Sequence, residues 1–85
     1  MTFTYKTKGV CSRQINITVN DDNTIESVSF EGGCHGNLQG IGALVKGQSI
    51  DDVIDRLESI RCGYKSTSCP DQLAQALKEL KSRKE

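Results

Sequence analysis

Residues 13–30 read RQINITVNDDNTIESVSF, in which two apolar–polar alternations flank a polar segment. In the first alternation, Ile15, Ile17 and Val19 are separated by polar residues, as in a strand with one buried and one wet face. The Asn-Asp-Asp-Asn segment that follows is rich in turn formers. The stretch therefore predicts a β-hairpin.

The second strand of this hairpin is predicted over about residues 24–30, with Val28 and Phe30 on its inner face. Ile25 has the wrong parity for that face, which indicates a β-bulge or the beginning of the strand at this position. Upstream, Phe3 and Tyr5 alternate with polar residues and predict a further strand.

Downstream of the hairpin the apolar spacing becomes helical. A first helix is predicted over about residues 37–46, ended by Gly47. A second begins after Ser49 as N-cap, with Asp52 at the capping-box position. A third begins at Pro70, since proline suits the first helical position. The predicted buried positions of the three helices are Leu38, Ile41, Leu44 and Val45, then Ile50, Val53, Ile54, Leu57 and Ile60, then Leu73, Ala76, Leu77 and Leu80.

Gly40 and Gly42 lie inside the first predicted helix, where each glycine costs about 1 kcal/mol relative to alanine. Either a neighbouring element packs very close to them, or this helix is short and strained.

The predicted order is three strands followed by three helices, which is typical of an α+β domain. We therefore expect a single domain over residues 1–85, with a three-stranded antiparallel sheet packed against about three helices. Hydrophobic residues make up only 35% of the chain and there is no Trp. So small a core often needs a metal or disulfides to stabilise it, and four cysteines are available.

The N-terminus has no apolar signal-peptide region, and no apolar run approaches the roughly 20 residues that span a membrane. We therefore expect a cytoplasmic protein with no membrane partner, in which thiols stay reduced. Reduced thiols in such a domain favour metal ligands or redox groups over a disulfide framework. Cysteines that merely pack the core are the simpler alternative.

The formal net charge is zero, with 11 basic and 11 acidic residues, which argues against a nucleic-acid partner. The sequence shows no paired carboxylates, no nucleophile–base set and no phosphate-binding glycine pattern. A self-contained enzyme is therefore not expected. A protein partner is expected, and a homodimer is compatible with the sequence.

Each cysteine lies at a junction between predicted elements: Cys11, Cys34, Cys62 and Cys69. Side chains at the ends of elements can converge, so this placement predicts a metal site that takes all four as ligands. The metal is zinc or an iron–sulfur cluster, between which the spacing does not choose. His35, beside Cys34, is a further ligand, an acid–base group, a hydrogen-bond donor to a sulfur, or an ordinary loop residue.

Two cysteines have an electrostatic reason to be thiolates. Cys69 is predicted as the N-cap of the third helix, where the helix dipole lowers a thiol pKa. Cys34 follows Gly32-Gly33, whose backbone N–H groups can point at an anion. Thr67 and Ser68 either hydrogen-bond a sulfur or cap the third helix.

The segment Thr67-Ser68-Cys69-Pro70-Asp71 resembles the signature of the TSCPD domain family, and the whole chain resembles its small four-cysteine members. A similar domain is appended to cobalamin-dependent ribonucleotide reductases. The resemblance thus implies, as an alternative function, a thiol-redox or regulatory accessory role beside such a reductase. In that role Cys69 would attack, and Cys62 or Cys34 would resolve the disulfide.

A second resemblance, to the U-type iron–sulfur scaffold family, covers most of the chain. It is carried by Gly33-Cys34 after the hairpin, the segment Leu44–Asp51 between two helices, and Cys69 before the last helix. It implies that fold, and a zinc ion or iron–sulfur cluster on three cysteines that include Cys11. Arg13 and Ser68 replace an aspartate and a histidine of that family, while a fourth cysteine is extra. The resemblance therefore does not by itself imply the docking to a cysteine desulfurase that is usual in that family.

Overall fold

A computed structural model describes residues 1–84 of the chain. Three strands precede three helices, as the sequence predicts, and together they form an α+β fold. The strands and helices, in chain order, are β1 Thr2–Lys6, β2 Ser12–Val19, β3 Ile25–Gly32, α1 His35–Val45, α2 Ile50–Leu57 and α3 Cys69–Lys84.

The sheet is antiparallel with the strand order β1-β2-β3. At the β2–β3 turn, the Asn20 N–H donates to the Thr24 carbonyl at 2.9 Å. The pairing register shifts there, because Thr18 faces Ser27 while Val19 faces Ile25. This irregularity turns Ile25 into the core, where it is fully buried. Ile25 is also the first residue of β3, so the parity correctly predicted an irregularity or a strand beginning at this position.

One hydrophobic core joins one face of the sheet to the helices. Its residues are Phe3, Ile15, Ile17, Val19, Ile25, Val45, Ile50, Val53, Ile54, Leu73, Ala76, Leu77 and Leu80. The whole stripe predicted for α3 is fully buried, which confirms that prediction. Within residues 1–84, no helix combines the length and apolar character needed to cross a membrane.

Helix α1 packs against β3, and one of its internal glycines allows the close approach of the helix to the strand. A Cβ at Gly42 would come within 2.6 Å of the Val28 carbonyl oxygen, whereas one at Gly40 would meet nothing within 4 Å. Close packing is therefore the reason for glycine at position 42 only. Leu44 was predicted to be buried, and this is wrong: it is 78% exposed. It lies two residues beyond Gly42, about 200° around the helix, and so faces away from the sheet.

Helix α2 begins as predicted, since the Ser49 side chain accepts a hydrogen bond from the Asp52 N–H at 3.1 Å. It ends at Leu57, however, and Ser59 follows in a left-handed conformation with φ of 70°. The chain turns there, so Ile60 lies outside the helix and is 40% exposed. The prediction that Ile60 belongs to the buried stripe is therefore wrong.

Helix α3 begins one residue earlier than predicted. The Ser68 hydroxyl accepts a hydrogen bond from the Asp71 N–H at 3.1 Å, which makes Ser68 the N-cap. Cys69 is the first helical residue rather than the cap, and Pro70 is the second. Proline is tolerated there because the N–H groups of the first turn have no partner within the helix.

Candidate metal centre

Cys11 and Cys69 lie 58 positions apart in sequence, and their Sγ atoms are 3.8 Å apart. Cys11 is exposed at the end of the β1–β2 loop, directly before β2. Cys69 is 8% exposed and begins α3. The Ser12 hydroxyl, itself buried, lies 3.2 Å from the Cys69 sulfur. The beginning of β2 and the beginning of α3 thus bring two thiols into contact.

Cys34 is the third cysteine of this group. It is the N-cap of α1, and its side chain makes no capping hydrogen bond. Gly33, the residue directly before Cys34, lies against Cys11, because a Cβ at Gly33 would come within 3.1 Å of the Cys11 sulfur. The pKa of Cys11 is lowered, chiefly by the hydrogen bond from Cys69 and then by the backbone of Cys34, with slight burial opposing them. Cys11, Cys34 and Cys69 are called the cysteine cluster below.

Gly33 holds the cluster close together. Its φ is +77°, a conformation that favours glycine. A Cβ here would come within 3.1 Å of both the Cys11 sulfur and the Ser12 backbone nitrogen, and within 2.8 Å of Leu38 Cδ1. Since no side chain fits in this space, the β3–α1 loop lies directly against Cys11.

Two helices begin at the cluster, one at Cys34 and one at Cys69. The N-terminus of a helix carries about half a positive charge and unpaired N–H groups, which stabilise thiolates. This arrangement suits a site that concentrates sulfur anions.

Cys62 is not brought into the cluster. It is exposed in the α2–α3 loop, where its N–H donates to the Thr67 carbonyl at 3.1 Å and its carbonyl accepts from the Lys65 N–H at 3.1 Å. His35 is also exposed, and its ring is paired with the Gln39 side chain. Among residues 1–84, no three His, Cys, Asp or Glu side chains are already arranged as a metal-binding group.

The residues around Cys69 form a hydrogen-bonded clamp. Asp71 accepts the Ser59 N–H at 2.7 Å and the Thr67 hydroxyl at 2.6 Å, while the Ser68 hydroxyl donates to the Ile60 carbonyl at 2.6 Å. Burial favours the neutral form of Asp71, but these hydrogen bonds outweigh it and the pKa of Asp71 is lowered. The clamp holds both ends of the α2–α3 loop against the first turn of α3.

Gln72 extends the clamp to the other side of the site. Its amide donates to the Thr67 hydroxyl at 3.0 Å, and its Oε1 accepts the Lys8 N–H at 3.0 Å. The β1–β2 loop, which ends at Cys11, is thereby tied to α3. Sequence reasoning missed Ser12 and Gln72 as residues that position the cluster, and it singled out Gly33 for its backbone N–H rather than for its close packing against Cys11. The glycine pair before Cys34 was the only signal of that packing.

The segment Thr67–Asp71 therefore has two separable roles. Its Thr, Ser and Asp clamp the loop and cap the helix, while its Cys presents a thiol to the cluster. The sequence model of the TSCPD domain family matches residues 3–81 of this chain. The chain belongs to the TSCPD domain family. Comparisons with curated proteins and with solved structures give no match, so the resemblance of this TSCPD protein to the U-type scaffold stays a prediction.

Proposed function

We propose that this TSCPD protein binds a metal centre, either zinc or an iron–sulfur cluster, through Cys11, Cys34 and Cys69, with Cys62 as the fourth ligand. The protein would act in the reducing cytoplasm as a binding protein for that centre, with a protein partner and no nucleic acid. It would not be a self-contained enzyme.

One observation carries the proposal, the 3.8 Å separation of the Cys11 and Cys69 sulfurs. Zinc–thiolate bonds of about 2.3 Å at the tetrahedral angle place two sulfur ligands about 3.8 Å apart. The two thiols therefore already span one edge of such a site. Cys34 directly follows the glycine that lies against the Cys11 sulfur, and it supplies a third thiol of the same chemistry.

The donor set fits a metal that prefers thiolates, because soft sulfur ligands select zinc and iron–sulfur clusters over hard cations. Once bound, either centre would cross-link the beginnings of β2, α1 and α3 and stabilise a small core. Two helix N-termini and the Ser12 hydroxyl would offset the negative charge of the sulfurs.

Cys62 differs from the other three because it lies within a long loop, whereas each of the others adjoins the beginning of a strand or helix. The loop is clamped near Ser59 and at Thr67, and between these points Gly63 adopts a positive φ of 61°. The proposal therefore predicts a ranking of the ligands. Loss of a clustered thiol weakens metal binding more than loss of Cys62.

The test is anaerobic purification followed by elemental analysis, ultraviolet–visible absorbance and competition with a chelator. We expect one zinc ion or one cluster per chain. Removing even an outer-shell partner costs about 10–100-fold in metal affinity. Cys69→Ser should therefore lower the metal affinity by more than about 10-fold. Cys62→Ser should lower the affinity by a smaller factor than Cys69→Ser does.

The serine variants are matched, since each replaces one sulfur by one oxygen. Equal affinities for all four variants and the wild type would contradict the proposal. So would metal-free protein, purified without oxygen, in which four thiols react freely.

An accessory thiol-redox role beside ribonucleotide reductase remains a prediction of the family resemblance. It requires a cysteine pair that can be oxidised and reduced.

A further inference from the structure

We infer that Cys11 and Cys69 form a reversible disulfide with each other, and that Cys11 is the thiol through which an external small-molecule disulfide enters. The sequence alone favoured Cys69 as the attacking thiol and Cys62 or Cys34 as its partner. The structure assigns a different pair and the opposite order.

The pairing follows from distance and fixation. The two sulfurs lie 3.8 Å apart and need to approach by about 1.8 Å to reach disulfide bond length. Cys69 is held at the beginning of α3, with the Ser12 hydroxyl 3.2 Å from its sulfur. Cys11 lies in a bend next to Ser12, where rotation of its side chain can close the gap.

The order follows from exposure. Cys11 is exposed, whereas Cys69 is 8% exposed and its sulfur lies 3.2 Å from the buried Ser12 hydroxyl. A bulky reagent such as glutathione disulfide can therefore reach the Cys11 sulfur but not the Cys69 sulfur. Once Cys11 has reacted, Cys69 is the buried neighbour that attacks it.

The reaction has two balanced exchanges. First, the Cys11 thiolate attacks one sulfur of glutathione disulfide, so that a Cys11–glutathione bond forms, the glutathione S–S bond breaks, and one glutathione leaves and takes up a proton. Second, Cys69 gives its proton to water and attacks the Cys11 sulfur, and the second glutathione leaves. Two protein thiols lose two electrons, and one glutathione disulfide becomes two glutathiones.

The disulfide does not depend on the proposed function, but one consequence does. If the cluster holds a metal, oxidation of this pair removes two of its ligands, and the centre is released. The cysteine cluster would then hold its metal only under reducing conditions.

The chain is well suited to mapping this bond, because trypsin places each cysteine on its own peptide. These peptides cover residues 9–13, 14–46, 62–65 and 66–78. The full chain is reduced, treated with a chelator, exposed to defined ratios of reduced and oxidised glutathione, trapped by alkylation and digested. We expect the peptides 9–13 and 66–78 to be linked, and the link to disappear when reduced glutathione is in excess.

Variants separate this pathway from alternatives. In Cys69→Ser, glutathione should accumulate on Cys11 because the thiol that resolves the mixed disulfide is gone. In Cys34→Ser and Cys62→Ser, the same two peptides should still be linked. A dominant link from residues 9–13 to residues 14–46, or separate glutathione adducts with no internal link, would overturn the inference.

A parallel sample without chelator tests the consequence, with released metal measured by a chromogenic chelator. A mapped disulfide in a chain that never binds metal would refute the proposed function and leave this inference standing. Bound metal in a chain that forms no internal disulfide would refute this inference and leave the proposed function standing.

Discussion

Of the three loops of this protein that carry a cysteine and a glycine in left-handed conformation, the β1–β2 and β3–α1 loops contribute to the cluster and the α2–α3 loop does not. In the β3–α1 loop, Gly33 is pressed against Cys11 and Ser12, and Cys34 follows it directly. In the α2–α3 loop, a Cβ at Gly63 would meet nothing within 4 Å, and Cys62 is exposed. The β3–α1 loop is thus packed against the cluster at its glycine, whereas the α2–α3 loop is held by hydrogen bonds and has open space around its glycine.

The difference shows what brings cysteines together in so small a domain. Cys34 is fixed by the short connection between a strand and a helix that pack on each other. Cys62 lies within a longer connection whose contacts, the clamp on Asp71 and Ser68, serve the helix rather than the thiol. A thiol at an element end is placed by the core, and a thiol within a loop is not.

The largest expected effect comes from Gly33→Ala. The added methyl group imposes strain of about 1–3 kcal/mol in the left-handed conformation. Overpacking against Cys11 and the Ser12 nitrogen adds a further cost, typically about 1–3 kcal/mol. The free energy of unfolding, measured in urea on the metal-free reduced chain, should fall by about 3 kcal/mol or more.

Gly63→Ala is the matched control, because this glycine has a positive φ of 61° but open surroundings. Only the left-handed conformation is penalised there, by about 1–2 kcal/mol. If the two variants lost equal stability, the claim that the β3–α1 loop is the tightly packed one would fail.

An intermediate effect is expected from Asp71→Asn, which weakens the clamp without changing the size of the side chain. The carboxylate accepts one hydrogen bond on each oxygen, from the Ser59 N–H and the Thr67 hydroxyl. An amide keeps only one acceptor oxygen, so one part-buried donor loses its partner at a cost of about 1–3 kcal/mol. Amide hydrogen exchange of residues 58–67 should accelerate along with the loss of stability.

Asp52→Asn provides the comparison, since Asp52 occupies the same first-turn position in α2 but is exposed. Its charge contributes only about 0.3–1 kcal/mol through the helix dipole. If Asp71→Asn lowered the free energy of unfolding no more than Asp52→Asn does, the hydrogen bonds of the clamp would contribute little to stability beyond the charge of Asp71.

The smallest effect is expected from Cys62→Ser in the metal-free reduced chain. The side chain is exposed and the backbone hydrogen bonds of Cys62 do not involve its sulfur. The unfolding free energy should change by no more than about 0.5 kcal/mol. Cys69→Ser should cost more, because its sulfur is buried beside Ser12. The measurement is a thermal melt of both variants with chelator and reductant present. A larger loss of stability in Cys62→Ser than in Cys69→Ser would show that Cys62 already belongs to a packed cluster.

The sequence was sufficient for the element order, because hydrophobic periodicity is a local property. Parity identified the irregularity at Ile25, and side-chain chemistry identified Ser49 as a cap. Prediction from the sequence failed where contact with a tertiary neighbour decides whether a side chain is buried. Leu44 has apolar character, but α1 approaches the sheet through Gly42, which turns Leu44 to solvent.

For the cysteines, too, local position was predictable from the sequence and contacts between distant residues were not. The sequence by itself determined that Cys11, Cys34 and Cys69 lie at the ends of elements, since periodicity begins or stops beside them. Which sulfurs meet was decided only by the tertiary structure. Cys11 and Cys69 are brought to 3.8 Å by the packing of α3 on the sheet and the tie between Gln72 and Lys8. Contacts between residues 58 positions apart depend on packing, which no local pattern encodes.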